Sequence, residues 1–82
     1  MPDHVRPQLT PAQWRVLERL ARGESNEEIA AALGLTIAGA KNQLTAIYRR
    51  LSLGDGGNLR VLAVLWYLRE GHTYHEEGGG DA

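Results

Sequence analysis

Two predicted helices in the middle of the chain are separated by only two residues. The first begins with a capping box that opens at Ser25, and it ends at Gly34, because glycine readily takes the left-handed conformation that closes a helix. The next apolar stripe starts at Ile37, so only Leu35 and Thr36 lie between the helices. So short a link forces a sharp corner, and two short helices that meet at such a turn form a helix-turn-helix.

A further helix is predicted on each side of this pair. Thr10 opens a second capping box, with proline at the first helical position, and Gly23 ends the helix that follows. After a glycine-rich break, Asn58 caps a fourth segment, in which every residue from Leu59 to Leu68 except Arg60 is apolar. We therefore predict an all-α domain of four helices built around a helix-turn-helix.

The two ends of the chain differ from this helical region. Residues 1–8 are polar and contain two of the three prolines, whereas residues 72–82 are rich in glycine and acidic residues. We predict a flexible arm over residues 1–8, the helical domain over residues 9–71 and a flexible acidic tail over residues 72–82. The sequence has no cysteine, no signal-peptide pattern and no apolar run long enough for a bilayer, so we expect a cytoplasmic protein outside the membrane.

Positive charge is concentrated in the third predicted helix. The whole chain has a formal net charge of -1, which is not the strongly basic balance typical of a free-standing nucleic-acid binder. Residues 36–54, however, contain no acidic residue, while they include Lys41, Arg49 and Arg50. Because the local distribution of charge matters more than its sum, this stretch remains suited to a polyanion.

The third helix presents a polar face opposite its apolar one. Apolar residues recur at steps of three and four over residues 37–51, which leaves Asn42, Thr45 and Arg49 in line on the outer face. An α-helix fits the major groove of B-DNA, where asparagine can bond both N6 and N7 of adenine. A solvated face without a function usually mixes both charge signs and avoids glycine, whereas this face lacks acids and includes Gly39. We therefore predict that the third helix reads DNA.

The start of the second helix has two interpretations. Backbone amides and a capping hydroxyl at a helix N-terminus can hold a phosphate oxygen, with Asn26 beside them. Two glutamates in the same turn suit the helix dipole but repel phosphate, and capping alone explains Ser25 and Glu28. The sequence is compatible with a cap alone and with a cap that also contacts phosphate.

The fourth helix requires a covering partner. A helix that is apolar on all sides must be buried on more than one side. A domain of this length has a small core, which can cover one side only. We therefore expect the other side to contact another protein surface.

Catalytic and metal-binding functions are not favoured by the residues. Histidine occurs only near the two ends, the chain has no cysteine nucleophile, and no pair of carboxylates stands in a recognisable pocket context. His72, His75 and Glu76 have a spacing that could ligate a metal ion on a helix, but the glycines around them disfavour a rigid site. We predict neither an enzyme nor a cofactor or a resident metal.

Together these residues resemble the LuxR/GerE-type helix-turn-helix domain. The resemblance extends from Leu9 to about Gly71. It rests on the following set: Leu9-Thr10-Pro11, Val16-Leu17, Leu20-Ala21, Gly23, Ser25-Asn26, Glu28-Ile29-Ala30, Leu33-Gly34, Lys41-Asn42, Leu44, Ile47-Tyr48, Leu51 and Ala63-Val64-Leu65.

The resemblance implies a regulator of transcription that places its third helix in the major groove of double-stranded DNA and forms a homodimer through its fourth helix. It implies base contacts from Lys41, Asn42 and Thr45. The implied phosphate contacts are Asn26, Gln43 and Arg49, and we predict a further one from Arg50 on the basic flank of the same helix. The implied dimer interface contains Leu62, Leu65, Trp66 and Arg69.

The chain also departs from this family pattern. Gly39, Ala40 and Gln43 stand where the family usually has threonine, valine and often histidine, and the stretch from Gly54 to Leu62 is about four residues longer than usual. The alternative function is a protein-interaction adaptor on the same fold, which binds RNA polymerase, a sigma factor or another regulator. The low net charge and the apolar fourth helix favour this alternative.

Overall fold

The computed structural model describes residues 9–54 and 57–71. No strand occurs among these residues, so the predicted all-α, four-helix architecture is confirmed. None of the helices in the described ranges is long and apolar enough to cross a bilayer. The predicted arm over residues 1–8 and the predicted acidic tail over residues 72–82 lie outside the described residues. The four helices are α1 (Pro11–Ala21), α2 (Asn26–Leu33), α3 (Ile37–Arg50) and α4 (Leu59–Trp66).

Capping boxes begin α1 and α2 where the sequence predicts them. At α1 the backbone N–H of Gln13 donates to the Thr10 hydroxyl at 3.1 Å, and the N–H of Thr10 donates to Gln13 Oε1 at 3.0 Å. Ser25 and Glu28 exchange the same two bonds at the start of α2, at 3.1 Å and 2.8 Å. Each box pairs two backbone amides with side-chain oxygens, which fixes where the helix begins.

The corner between α2 and α3 depends on a left-handed glycine. Gly34 has φ +72°, and the N–H of Leu35 donates to the carbonyl of Ala30 at 2.8 Å, which closes α2. Thr36 then caps α3 by accepting the N–H of Gly39 at 2.9 Å. Only three residues separate the end of α2 from the start of α3, so the short link of a predicted helix-turn-helix is present.

A single core holds the helices in place. Helix α1 contacts each of the other three, and α2 packs directly on α3. Alanines at two of the buried positions, on α2 and α3, have small side chains that let helices come close. The buried apolar side chains are Val16, Leu17, Leu20, Ile29, Ala30, Ala40, Leu44, Ile47 and Ala63.

Helix α4 is the least buried of the four. Asn58 caps it by accepting the N–H of Val61 at 3.2 Å, as predicted, but Ala63 is its one fully buried side chain. The sequence predicts a helix to Leu68, whereas the α-helix ends at Trp66 and continues as a π-helical turn, Tyr67–Gly71. Over a single turn, the apolar spacing does not distinguish bonds that span four residues from bonds that span five.

Candidate nucleic-acid interface

The outer face of α3 is solvent-exposed along its whole length. Packing of Ala40, Leu44 and Ile47 into the core turns the opposite side of the helix outward. The three residues predicted to contact bases are all exposed, and they share this outer face with Arg49. The structure therefore brings together Lys41, Asn42 and Thr45.

Neither Lys41 nor Arg49 forms an ion pair with a carboxylate among the described residues. Two ion pairs join described residues, Arg19 with Glu24 at 3.0 Å and Arg22 with Glu18 at 3.1 Å. Neither pair includes a residue of α3. Arg49 and Arg50 are exposed in the last turn of α3, where cations also suit the helix dipole. The outer face therefore presents the positive charges of Lys41 and Arg49 to a ligand.

Asn26 lies close to this face, at the start of α2. With Lys41 it lines one shallow depression, to which Glu27 and Arg60 also contribute. The guanidinium of Arg60 donates from Nη1 to Asn26 Oδ1 at 2.9 Å and from Nη2 to the carbonyl of Glu24 at 2.9 Å. Arg60 therefore fastens α4 to the turn that precedes α2.

Arg60 also reaches α3 through Tyr48. Burial raises the pKa of the Tyr48 phenol above its usual value, and the charge and hydrogen bond of Arg60 oppose part of that rise. Arg60 was not among the site residues predicted from the sequence. The available signal was its place as the one polar side chain in an otherwise apolar helix.

Gln43 has its own partner in α1. The side chain of Gln13 is buried, and its Nε2 donates to Gln43 Oε1 at 3.4 Å. Of the four predicted phosphate contacts, Asn26 and Gln43 are half-buried, whereas Arg49 and Arg50 are exposed. Both amides are therefore held by neighbouring elements, whereas Arg49 extends into solvent.

The residues predicted for a dimer interface divide into two groups. Leu62, Leu65 and Arg69 are exposed. Trp66 is half-buried, and its ring lies 6.1 Å from that of Trp14 of the same chain, so it faces α1. Two exposed apolar side chains near Leu65 were not in the predicted set: Val61, which is 48% exposed, and Leu68, which is 60% exposed.

Metal-binding groups are not clustered in the part of the chain that the structure describes. No set of three or more histidine, cysteine or acidic side chains there could hold a metal ion. The sequence trio of His72, His75 and Glu76 lies outside the described residues.

Comparison with known proteins identifies the family. The family model of bacterial regulatory proteins of the luxR family, GerE, matches residues 7–63, which include all of α1 to α3. Comparisons with curated proteins and with solved structures gave no match. The family indicates a DNA-binding helix-turn-helix regulator of transcription. Since the match covers more than half of the sequence, the chain belongs to the luxR family of bacterial regulatory proteins.

Proposed function

We propose that this protein is a sequence-specific regulator of transcription that binds double-stranded DNA as a homodimer, with α3 in the major groove. The outer face of α3 is the observation that carries the proposal. It is exposed and free of acidic residues, and neither Lys41 nor Arg49 forms an ion pair with a carboxylate among the described residues. A helix with such a face fits the width of the major groove and its negative surroundings.

Asn42 is the residue we assign to base recognition, with Lys41 and Thr45 beside it. A carboxamide can both accept from N6 and donate to N7 of adenine, which distinguishes that base from the other three. Ala38 is exposed on the same helix and is small, so it would let the helix backbone approach the base edges.

We assign contacts with the DNA backbone to residues around the edge of this face. Arg49 and Arg50 would meet phosphates at the C-terminal end of α3 as charged donors. Asn26, beside the N-terminal end of α3, and Gln43, in the middle of that helix, would meet phosphates as neutral donors. Phosphate contacts at both ends would fix the depth and the direction of α3 in the groove.

We assign dimerisation to the exposed apolar side of α4. Val61, Leu65 and Leu68 leave about half of their surfaces in solvent. A second copy of α4 would cover them, together with Leu62 and Arg69, in a self-complementary contact. A two-fold dimer would bind a pseudo-palindromic site whose half-sites lie about 34 Å apart.

A protein-interaction adaptor is the second candidate. It is favoured by an apolar groove of about 520 Å³ between α1, α2 and α4, with Leu20, Val64 and Leu65 in its walls and Glu24 and Glu28 at its edge. The net charge of -1 also suits a protein partner such as RNA polymerase, a sigma factor or another regulator.

Selection from a random duplex library, at low and at physiological salt, tests the proposed function. A palindromic motif that survives physiological salt would support it and supply a cognate site. Asn42→Ala should then cost about 1 to 3 kcal/mol on that site and almost nothing on random DNA, because only a base contact is lost. Weak, motif-free binding that disappears with salt would contradict the proposal and favour the adaptor, for which a pull-down with purified RNA polymerase is the next experiment.

A further inference from the structure

The side-chain amides of Asn26 and Gln43, which we assign to phosphate contacts, are held in the same way. Asn26 and Gln43 each have their side-chain oxygen occupied by a donor from another helix. The inference drawn from this arrangement rests on the proposed function, because it concerns how those amides would meet DNA.

The orientation of the Asn26 amide is fixed by the chemistry of its partner. A guanidinium has five N–H donors and no acceptor, so the Asn26 atom that faces Arg60 must be the oxygen. The bond length of 2.9 Å is that of a well-formed hydrogen bond. The amide nitrogen of Asn26 must therefore lie on the side away from Arg60.

That nitrogen is available to a ligand. Among the described residues, the one buried side-chain oxygen or nitrogen without a partner is Oε1 of Glu24, so Asn26 Nδ2 is not a buried, unsatisfied group. No described residue accepts a hydrogen bond from it. Asn26 Nδ2 therefore has no protein acceptor among the described residues, in a depression that Lys41 also lines, while Oδ1 is engaged by Arg60.

The amide of Gln43 is oriented in a similar way, through the side chain of Gln13. The backbone N–H of Thr10 is a donor, so it fixes the oxygen of Gln13 toward itself at 3.0 Å. The amide nitrogen of Gln13 then faces Gln43 and donates to its oxygen. Gln43 Nε2 has no acceptor among the described residues and is not buried without a partner, so its N–H donors remain open to a ligand.

We propose that Arg60 and Gln13 are positioning residues, which hold the amides of Asn26 and Gln43 with their N–H groups toward the phosphate oxygens of DNA. An unrestrained amide can rotate and present its oxygen, which a phosphate oxygen repels. Arg60 and Gln13 remove that alternative before DNA arrives, so binding does not have to select one rotamer.

A double-mutant cycle on DNA affinity tests the role of Arg60. The four proteins are the wild type, Arg60→Met, Asn26→Ala and the double variant. Methionine keeps much of the apolar stem of arginine while removing its donors. Arg15→Met is the matched control, because it removes the same charge from an exposed position on α1. We expect Arg60→Met to weaken binding about tenfold in the wild type and to have almost no further effect in Asn26→Ala.

The salt dependence separates this role from a direct contact. If Arg60 itself touched phosphate, Arg60→Met would lower the slope of log K against log salt by about 1 in both backgrounds. That result, or an equal loss of affinity with and without Asn26, would overturn the positioning role while leaving the proposed function intact. Failure of the wild type to bind any DNA would overturn the proposed function as well.

Two further variants test the positioning roles of Arg60 and Gln13, and they apply also if Arg60→Met does not fold. Arg60→Lys retains a group that only donates, so it should restore at least part of the affinity. Gln13→Glu keeps the oxygen that caps α1 but removes the donor to Gln43, and it should weaken DNA binding in the wild type and not in Gln43→Ala. Equal losses in both Gln43 backgrounds would contradict the positioning role of Gln13.

Discussion

Replacing Leu65 by alanine should weaken dimerisation by an amount that follows from its exposure. Leu65 keeps 48% of its surface in solvent, and it lies on the side of α4 opposite the buried Ala63. Full burial of a leucine contributes about 1.5 to 3 kcal/mol, so about half of that remains for a partner to supply. A two-fold dimer contains the contact twice, so Leu65→Ala should cost about 1.5 to 3 kcal/mol per dimer, or roughly 10- to 150-fold in Kd.

Sedimentation equilibrium over a range of protein concentrations measures this constant directly. Ile37→Ala is the matched control, because Ile37 is 47% exposed but lies at the start of α3. Thermal unfolding of each variant confirms that α4 stays docked, since Leu65 also borders the groove beside α1. An unchanged dimer constant in Leu65→Ala, or an equal loss in Ile37→Ala, would refute the assignment of the dimer to this side of α4.

Three further predictions concern the C-terminal end of α3 and the half-buried phenol of Tyr48. Arg49→Ala should weaken binding to all DNA sequences alike and lower the salt slope by about 1, whereas an unchanged slope would remove Arg49 from the backbone contacts. Ser52 follows α3 with φ +55°, so Ser52→Gly should raise the free energy of unfolding in urea by about 0.5 to 1 kcal/mol, and a decrease would contradict the strain. Burial raises the pKa of Tyr48 in the folded state, so its contribution to stability is complete below the unfolded pKa and is lost as pH rises through the folded one. Urea unfolding at roughly pH 8 and pH 10.5 should therefore show a smaller alkaline loss for Tyr48→Phe than for the wild type, and equal losses would count against this reading.

Local signals in the sequence predicted most of the helix boundaries. The boxes at Thr10 and Ser25 and the glycines at positions 23 and 34 each act within one turn of chain, so their residue types and spacing are enough. The exposed face of α3 was predictable for a similar reason, because helical periodicity alone decides which residues oppose the core.

The hydrogen-bond partners of the Asn26 and Gln43 amides could not be predicted from such local signals. Arg60 and Asn26 are 34 residues apart, and Gln13 and Gln43 are 30 apart. Each contact exists only because the packing of whole helices brings the two ends together. Trp66 shows the same limit, because an apolar residue in an apolar helix carries no mark of which side it faces until α1 is in place.

The pairing of Trp14 with Trp66 has a practical consequence for work in solution. These are the only tryptophans of the chain, and their rings lie 6.1 Å apart across the contact between α1 and α4. All of the intrinsic tryptophan emission therefore originates at one helix junction. The protein carries its own optical label for the docking of α4, so detachment of that helix on dilution, heating or mutation can be followed without attaching a dye.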